Sequence, residues 1–190
     1  MFDELLKEIR ACKVCEPFLA LGANPVVQAA PNSKIVIIGQ APGLKVHQTG
    51  VPWNDPSGDQ LRKWLNVTKD QFYNPELFAL VPIGFCYPGK GKSGDLPPRK
   101  ECAPLWHARL LDEMKEVQLI LLIDQYAQKY YLKGNMHKNI TENVLNFKEY
   151  LPRYFPLPHP SPRNFIWMNK NPWFVENVLP ELKNKVKNSL

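Results

Sequence analysis

The stretch Ile35-Val36-Ile37-Ile38-Gly39 decides the fold class of this chain of 190 residues. Its four consecutive apolar residues are all β-branched and end at a glycine, a pattern typical of a short strand that is buried on both faces. Strands of this kind belong to parallel sheets that carry helices on either side. The stretch therefore predicts a parallel sheet, with Gly39 marking the end of one strand.

Further strands and helices alternate along the chain around this stretch. Strands are predicted at 77–83, 117–123 and 154–157, and helices at 2–11, 58–66, about 99–116, 124–132 and from 171 onwards. Pro180 is expected to kink the last helix because proline lacks a backbone N–H. Strands that alternate with helices predict a layered α/β fold, and such sheets bind ligands beyond the carboxyl ends of their strands.

The composition is consistent with one domain, residues 1–190, because 44% of the residues are hydrophobic and can form one sizeable core. A formal net charge of +6 suits a polyanionic partner, although many enzymes unrelated to nucleic acid are equally basic. The longest strongly apolar run, 117–123, is too short to cross a bilayer, and the N-terminus lacks the shape of a signal peptide. We therefore expect a cytoplasmic monomer without membrane contacts.

The four cysteines form two pairs that are distant in sequence. Cys12 and Cys15 are separated by two residues, and Cys86 and Cys102 by fifteen. In a reducing cytosol, ligation by four thiolates is more plausible than two disulfides. Such a site could hold an iron–sulfur cluster or a structural zinc ion. Alternatively, Cys86 and Cys102 are ordinary small core residues.

Taken together, several segments resemble the uracil-DNA glycosylase superfamily, and in particular its iron–sulfur families 4 and 5. The cysteine spacing resembles the four-cysteine arrangement of these families. Four further segments are similar to family motifs: Gly39-Gln40-Ala41-Pro42-Gly43 to GEAPG or GLAPG, Thr49-Gly50-Val51-Pro52-Trp53 to TGRPF, Asn54-Asp55-Pro56-Ser57-Gly58-Asp59 to the family 5 stretch with its proposed catalytic aspartate, and His159-Pro160-Ser161-Pro162-Arg163-Asn164 to HPSPxN. The common order of these segments makes the resemblance specific.

The resemblance implies a three-layer αβα sandwich with a central, mainly parallel four-stranded sheet. It also implies a DNA repair enzyme that flips uracil out of DNA and hydrolyses its N-glycosidic bond, with other deaminated bases as further candidates. A [4Fe-4S] cluster held by Cys12, Cys15, Cys86 and Cys102 is implied as well, with zinc as the alternative. Two other functions remain open: a superfamily member that binds damaged or deaminated nucleic acid with weak catalysis, and a zinc-stabilised α/β nucleotide-binding hydrolase.

The resemblance implies three catalytic residues, His159, Gln40 and Asp55. His159 matches the motif histidine and is expected to donate a hydrogen bond, as a neutral imidazole, to the departing base. Gln40 replaces the family 4 glutamate, so it can orient water but cannot ionise. Asp55 is then the best candidate to position water or to stabilise the sugar cation, with Asp59 in reserve. Alternatively, Asp55 only caps the helix that follows it.

The remaining predicted site residues contact the substrate or the DNA backbone. Trp53 is expected to stack on the flipped base, unless it is a core tryptophan. Arg163 would fill the gap left by the flipped nucleotide, or be a plain surface arginine. Lys90 and Lys92 lie in a glycine-rich basic loop that could follow a phosphate backbone, or form a solvated face. Gly39, Ala41, Ser161 and Asn164 lie in the segments that resemble family motifs, and the resemblance implies that they also bind substrate.

Overall fold

A four-stranded parallel sheet forms the centre of the protein, whose residues 1–190 are described by a computed structural model. The strands of the protein are β1 (Ile35–Ile38), β2 (Phe78–Leu80), β3 (Lys90–Gly91), β4 (Gly94–Asp95), β5 (Leu119–Ile123) and β6 (Tyr154–Leu157). In the central sheet β1 lies between β2 and β5, and β6 pairs with the other side of β5. β3 and β4 form a separate antiparallel hairpin.

Helices connect the strands and cover the sheet. They are α1 (Phe2–Arg10), α2 (Leu44–Thr49), α3 (Pro56–Leu65), α4 (Lys69–Tyr73), α5 (Cys102–Glu113), α6 (Asp124–Leu132), α7 (Ile140–Leu145), α8 (Phe165–Lys170) and α9 (Leu179–Ser189). None of them combines the length and the apolar character needed to span a membrane.

The alternation of side chains along the strands divides the interior into two cores. In β1, Val36 and Ile38 pack in a core that includes residues of α1 and α5. Ile35 and Ile37 point to the other face and pack in a core that includes residues of α3 and α9. Helices therefore bury both faces of the sheet, which is why its strands lack polar alternation. The prediction of an αβα sandwich with a parallel four-stranded sheet is confirmed.

Element boundaries differ from the predictions mainly at the ends of strands and helices. The strand expected at 77–83 is only Phe78–Leu80, although the N–H groups of Val81 and Ile83 still donate to the carbonyls of Ile37 and Gly39 beyond its end. β5 begins two residues later than predicted, and the helix expected at about 99–116 begins at Cys102. The short helices α2, α4, α7 and α8 were not predicted.

The C-terminal helix is interrupted before its proline. Phe174–Val178 forms a π-helical turn, and regular α-helix resumes at Leu179, immediately before Pro180. Proline removes one backbone donor and its ring clashes with the preceding turn of a regular helix. A wider π-turn is one of the ways in which a helix accommodates such a break. The predicted irregularity at Pro180 therefore takes the form of this turn.

His107 is a buried polar side chain that joins α5 to the end of β2 and to α6. Its Nε2 lies 3.0 Å from the carbonyl oxygen of Pro82, and its Nδ1 lies 2.7 Å from the hydroxyl of Tyr131. Because a carbonyl can only accept, Nε2 carries the proton and the Tyr131 hydroxyl donates to Nδ1. Burial lowers the pKa of His107 to about 4. The ring is therefore neutral at neutral pH.

We expect the free energy of unfolding to decrease as the pH falls from about 6.5 towards about 4. Within this window the unfolded chain protonates the His107 ring, whereas the folded protein keeps it neutral. The full contribution is on the order of 3 kcal/mol. Urea unfolding at several pH values measures it. In His107→Gln the loss of stability over the same window should be smaller; equal losses in both proteins would contradict the prediction.

Candidate functional site

A pocket of about 70 Å³ opens at the carboxyl end of the central sheet. Three segments distant in sequence form its walls: the loop after β1, the turn before α3 and the loop after β6. They bring six predicted site residues together, namely Gly39, Gln40, Ala41, Trp53, Asp55 and His159. Val26, Leu80 and Pro82 also line the pocket. The structure thus places the three predicted catalytic residues around one cavity.

Backbone hydrogen bonds hold the loop after β1 in place. The carbonyl of Gly39 accepts from the N–H of Ile83 at 2.9 Å, and the carbonyl of Gln40 accepts from the N–H of Gly84 at 3.0 Å. The pairing of the first two strands is thereby continued past their regular ends. A side chain at position 39 would not fit, because its Cβ would lie 2.9 Å from the ring of Trp53. Glycine here lets the indole lie directly against the backbone.

The turn before α3 fixes Trp53 in an unusual backbone conformation. Trp53 has a φ of 56°, in the left-handed region that non-glycine residues rarely adopt. Its carbonyl accepts from Nη1 of the buried Arg62 at 3.4 Å, and the hydroxyl of Tyr73 donates to the carbonyl of Pro52 at 2.9 Å. Gly58 is also required, since a Cβ there would lie 1.8 Å from the Trp53 carbonyl oxygen. Strained conformations of this kind persist only where the surroundings enforce them.

Asp55 both caps α3 and lines the pocket. Its Oδ1 accepts from the N–H of Gly58 at 2.8 Å, which is the helix-capping role considered above. Its Oδ2 has no hydrogen bond to the protein, so the capping role leaves one carboxylate oxygen for the pocket. Asp59, the reserve candidate, pairs instead with Arg62 at 2.6 Å and is not a lining residue. Of the two aspartates, only Asp55 lies where it could reach a ligand in the pocket.

The imidazole of His159 faces Trp53 across the pocket. The two ring centroids are 6.1 Å apart and the ring planes are inclined by 35°. Burial lowers the pKa of His159, and the carboxylates of Asp124 and Asp55 oppose this effect by raising it. The net lowering keeps the ring neutral at neutral pH. A neutral imidazole can donate one hydrogen bond to a group bound in the pocket.

The rest of the loop after β6 supports the backbone at His159 and does not line the pocket. Asn164 donates from Nδ2 to the carbonyl of His159 at 2.5 Å, and the hydroxyl of Ser161 accepts from the N–H of Arg163 at 3.2 Å. Ser161 and Asn164, both predicted to bind substrate, are absent from the pocket lining. The side chain of Arg163 is exposed, four residues beyond the histidine.

The predicted basic loop is an ordered hairpin at the entrance of the pocket. An outer cleft of about 390 Å³ is lined on one side by residues 40–43 and on the other by Ser93, Gly94 and Asp95 of the hairpin, with Asp55 and His159 also in its lining. Lys90 lies on β3 and Lys92 in the hairpin turn, and both are exposed. The two lysines are therefore on the hairpin but line neither the cleft nor the pocket.

The four cysteines lie near one another as free thiols. Cys15, Cys86 and Cys102 are buried and pack together with Leu19, whereas Cys12 is half-buried and packs against the neighbouring core. Burial raises the pKa of Cys86 to about 11 and that of Cys102 to about 12, and nearby cysteines, Cys12 included, add to both effects. No group of three or more His, Cys, Asp or Glu side chains has the spacing for a single metal ion.

Two residues near the site were missed by the sequence analysis. Arg62 supports the Trp53 turn from α3, and a buried arginine leaves no recognisable signal in a single sequence. Asp124 is the first residue after β5 and has a φ of 69°. Its place directly after a buried strand, as for Gly39, could have drawn attention to it.

We expect Gly58→Ala to destabilise the protein by about 1–3 kcal/mol, the usual cost of forcing an extra methyl group into a packed site. The Cβ must push the Trp53 carbonyl away from α3, which also disturbs the cap at Asp55. Gly134→Ala is the matched control, because nothing lies within 4 Å of a Cβ at that position. Urea unfolding followed by tryptophan fluorescence compares the two; similar stabilities would contradict the tight contact.

The family model of the uracil DNA glycosylase superfamily matches residues 26–183. The match contains all three wall segments of the pocket, together with Cys86 and Cys102, but not Cys12 or Cys15. It extends over most of the chain, so this protein belongs to the uracil DNA glycosylase superfamily.

Proposed function

We propose that the protein is a monofunctional DNA glycosylase that hydrolyses the N-glycosidic bond of uracil in DNA after the nucleotide has flipped out of the helix. One observation carries the proposal: in a member of this superfamily, an aromatic ring, a carboxylate and a neutral imidazole line the same pocket. These are groups that can stack on a base, stabilise a sugar cation and donate to a leaving anion.

Trp53 supplies the stacking surface for the flipped base. Its indole lies against Gly39, and the strained turn leaves it little freedom to move. A contact between a base and an aromatic side chain contributes roughly 1–3 kcal/mol. Because the ring is already in place, little of this energy is spent on ordering the side chain.

His159 stabilises the departing base. As the glycosidic bond breaks, negative charge builds on the pyrimidine, and a fixed donor aimed at its oxygen lowers the barrier by a few kcal/mol. The half-buried, neutral imidazole meets this requirement because Asn164 fixes the backbone from which it projects. A neutral donor needs no proton transfer before the bond breaks.

Asp55 acts on the sugar, which is the group left on the DNA when the base departs. Its Oδ1 remains on the helix cap, while Oδ2 is available to stabilise the positive charge at C1′ or to orient the attacking water. Asp55 lines both the inner pocket and the outer cleft, so it stands between the base and the entering water. Gln40, which also lines both cavities, can hold that water through its amide but cannot accept its proton.

Exposed cations near the pocket entrance would bind the DNA backbone. Lys90 and Lys92 lie on the hairpin, and Arg163 lies on the loop after β6. Their charge favours phosphate, and Arg163 could also occupy the gap that the flipped nucleotide leaves. Arg99 is a weaker candidate for this role because Glu101 already pairs with it at 2.5 Å.

The size of the pocket supports a pyrimidine as the main substrate. A cavity of about 70 Å³ is small, so a pyrimidine needs less rearrangement of the pocket walls than a purine. Pro82 lines the pocket but has no hydrogen-bond donor, so uracil would be selected mainly by shape and by hydrogen bonds from the backbone and from Gln40. Xanthine and hypoxanthine are the bases whose release would reveal a wider pocket.

A second candidate function is binding of deaminated DNA with weak catalysis. It is favoured by the absence of an acidic residue from the loop after β1 and by the use of one Asp55 oxygen as a helix cap. The two candidates differ in whether free base is released from the bound DNA.

We also propose that Cys12, Cys15, Cys86 and Cys102 hold a [4Fe-4S] cluster. The donor set suits such a group, because a [4Fe-4S] cluster takes four thiolates and the four free cysteines lie near one another, three of them packed together. A cluster bound there would be structural, tying the segment after α1 to the start of α5. Zinc is the alternative.

We expect Asp55→Asn to lower the release of uracil from single- and double-stranded oligonucleotides at least about tenfold. Asparagine is as good a helix cap as aspartate, so the folded structure should be retained. Asp55→Ala is the informative comparison, since it removes the cap as well and should also lower the melting temperature. Full activity of Asp55→Asn would exclude the carboxylate from the reaction.

We expect His159→Gln to reduce the rate of uracil release by about 10²–10³-fold at neutral pH, the usual effect of losing one preorganised donor. Single-turnover assays with uracil, xanthine and hypoxanthine oligonucleotides measure the rates and the base range together. Tight binding of uracil DNA by the wild-type protein with no release of base would support the second candidate function.

We expect anaerobically purified protein to contain about four iron and four acid-labile sulfide ions per chain. The variants Cys86→Ser and Cys102→Ser should each lose iron and sulfide together. Stoichiometric zinc without iron or sulfide would assign the site to zinc, and the absence of all three would leave the thiols as core residues.

A further inference from the structure

Asp124 leaves the sheet next to His159. It follows Ile123, which pairs with Leu157 in the parallel register of β5 and β6. His159 lies two residues beyond Leu157, so both residues emerge at the same carboxyl edge. On the other side of β5, Leu122 pairs with Ile38, which places the start of the loop at Gly39 at this edge as well. Asp124 therefore leaves the sheet between the segments that form two walls of the pocket, without lining the pocket itself.

The backbone of Asp124 holds its side chain in this place. The residue has a φ of 69°, in the region where glycine is favoured and where aspartate and asparagine are the best tolerated alternatives. Its Oδ1 accepts from the N–H of Gln125 at 2.7 Å, a local hydrogen bond that helps to offset the strain. The half-buried carboxylate forms none of the ion pairs of the protein.

The charged groups that face His159 are all acidic. Asp124 comes from the start of α6, Asp55 from the turn before α3, and Asp95 from the hairpin across the outer cleft. Asp124 has the larger effect on the pKa of His159 and Asp55 the smaller; both oppose the lowering by burial. Arg163, in the same loop as His159, points to solvent and has no part in this balance.

We propose that Asp124 is a positioning residue for His159: its carboxylate, fixed at the end of β5, controls the pH range in which the neutral imidazole works as a donor. The neutral form of His159 is lost as the pH falls through its pKa. A neighbouring carboxylate stabilises the protonated ring and raises that pKa. Asp124 thus places the acid limit of base release at a higher pH than Asp55 and burial alone would give.

Two substitutions remove the charge and have opposite effects on the backbone. Asp124→Asn keeps an acceptor for the N–H of Gln125, whereas Asp124→Gly removes the side chain and relieves the strain at positive φ. A change that both variants share is due to the charge. Asp70→Asn is the control, since Asp70 is an exposed carboxylate on α4.

NMR titration of the histidine rings tests the electrostatic part directly. The signal of His159 is identified by its loss in His159→Gln. We expect its pKa to fall in both Asp124→Asn and Asp124→Gly and to stay unchanged in Asp70→Asn. An unchanged pKa in both Asp124 variants would overturn the proposal. This measurement does not depend on activity, so it remains decisive even if the protein releases no base.

The pH profile of uracil release tests the consequence and rests on the proposed function. We expect the acid limb of the profile to move to lower pH in both Asp124 variants, while thermal unfolding shows Asp124→Gly to be at least as stable as the wild type. If the role of Asp124 were purely structural, its replacement would lower the stability and leave the acid limb of the pH profile in place. A pKa that falls while the limb stays fixed would also overturn the link between Asp124 and the reaction.

Discussion

The parallel pairing of β1, β5 and β6 is the constraint on which the rest of the structure depends. Parallel strands with helical crossovers bring their carboxyl ends to one edge, and the segments that follow them must meet there. Gly39, Asp124 and the loop that contains His159 all leave the sheet at this edge. The two walls of the pocket at Gly39 and His159 therefore follow from the register of the sheet.

The turn at Trp53 is the part of the pocket that the sheet does not supply. It is held by contacts that leave almost no free volume, with Gly39 beneath the indole and Gly58 against the carbonyl. Arg62 adds a buried hydrogen bond from the helix side. The positive φ is thus maintained by packing and by the α3 cap together, which makes the tryptophan rigid enough for the stacking role proposed for it.

Charge is distributed unevenly around the site of this basic protein. The lysines on the hairpin and Arg163 are exposed near the entrance, whereas Asp55 and Asp124 lie close to the imidazole. The exposed cations outside the cleft suit the phosphate backbone, and the acidic groups closer to the imidazole suit the proposed reaction, in which a cation develops on the sugar. The same acidic groups oppose the effect of burial on His159, so the state of this donor depends on a balance between desolvation and charge.

The sequence by itself determined the fold class, the strands at 35–38 and 154–157, the helix at 124–132 and the segments that form the pocket, because hydrophobic periodicity and short motifs are local properties of a chain. Only the tertiary structure decided that Asp59 pairs with Arg62, that Asp55 divides its two oxygens between cap and pocket, and that Asp124 stands beside His159. These roles depend on strand register and on which way a turn directs a side chain. Neither is encoded by spacing along the chain, since residues far apart in sequence become neighbours only after the sheet has formed.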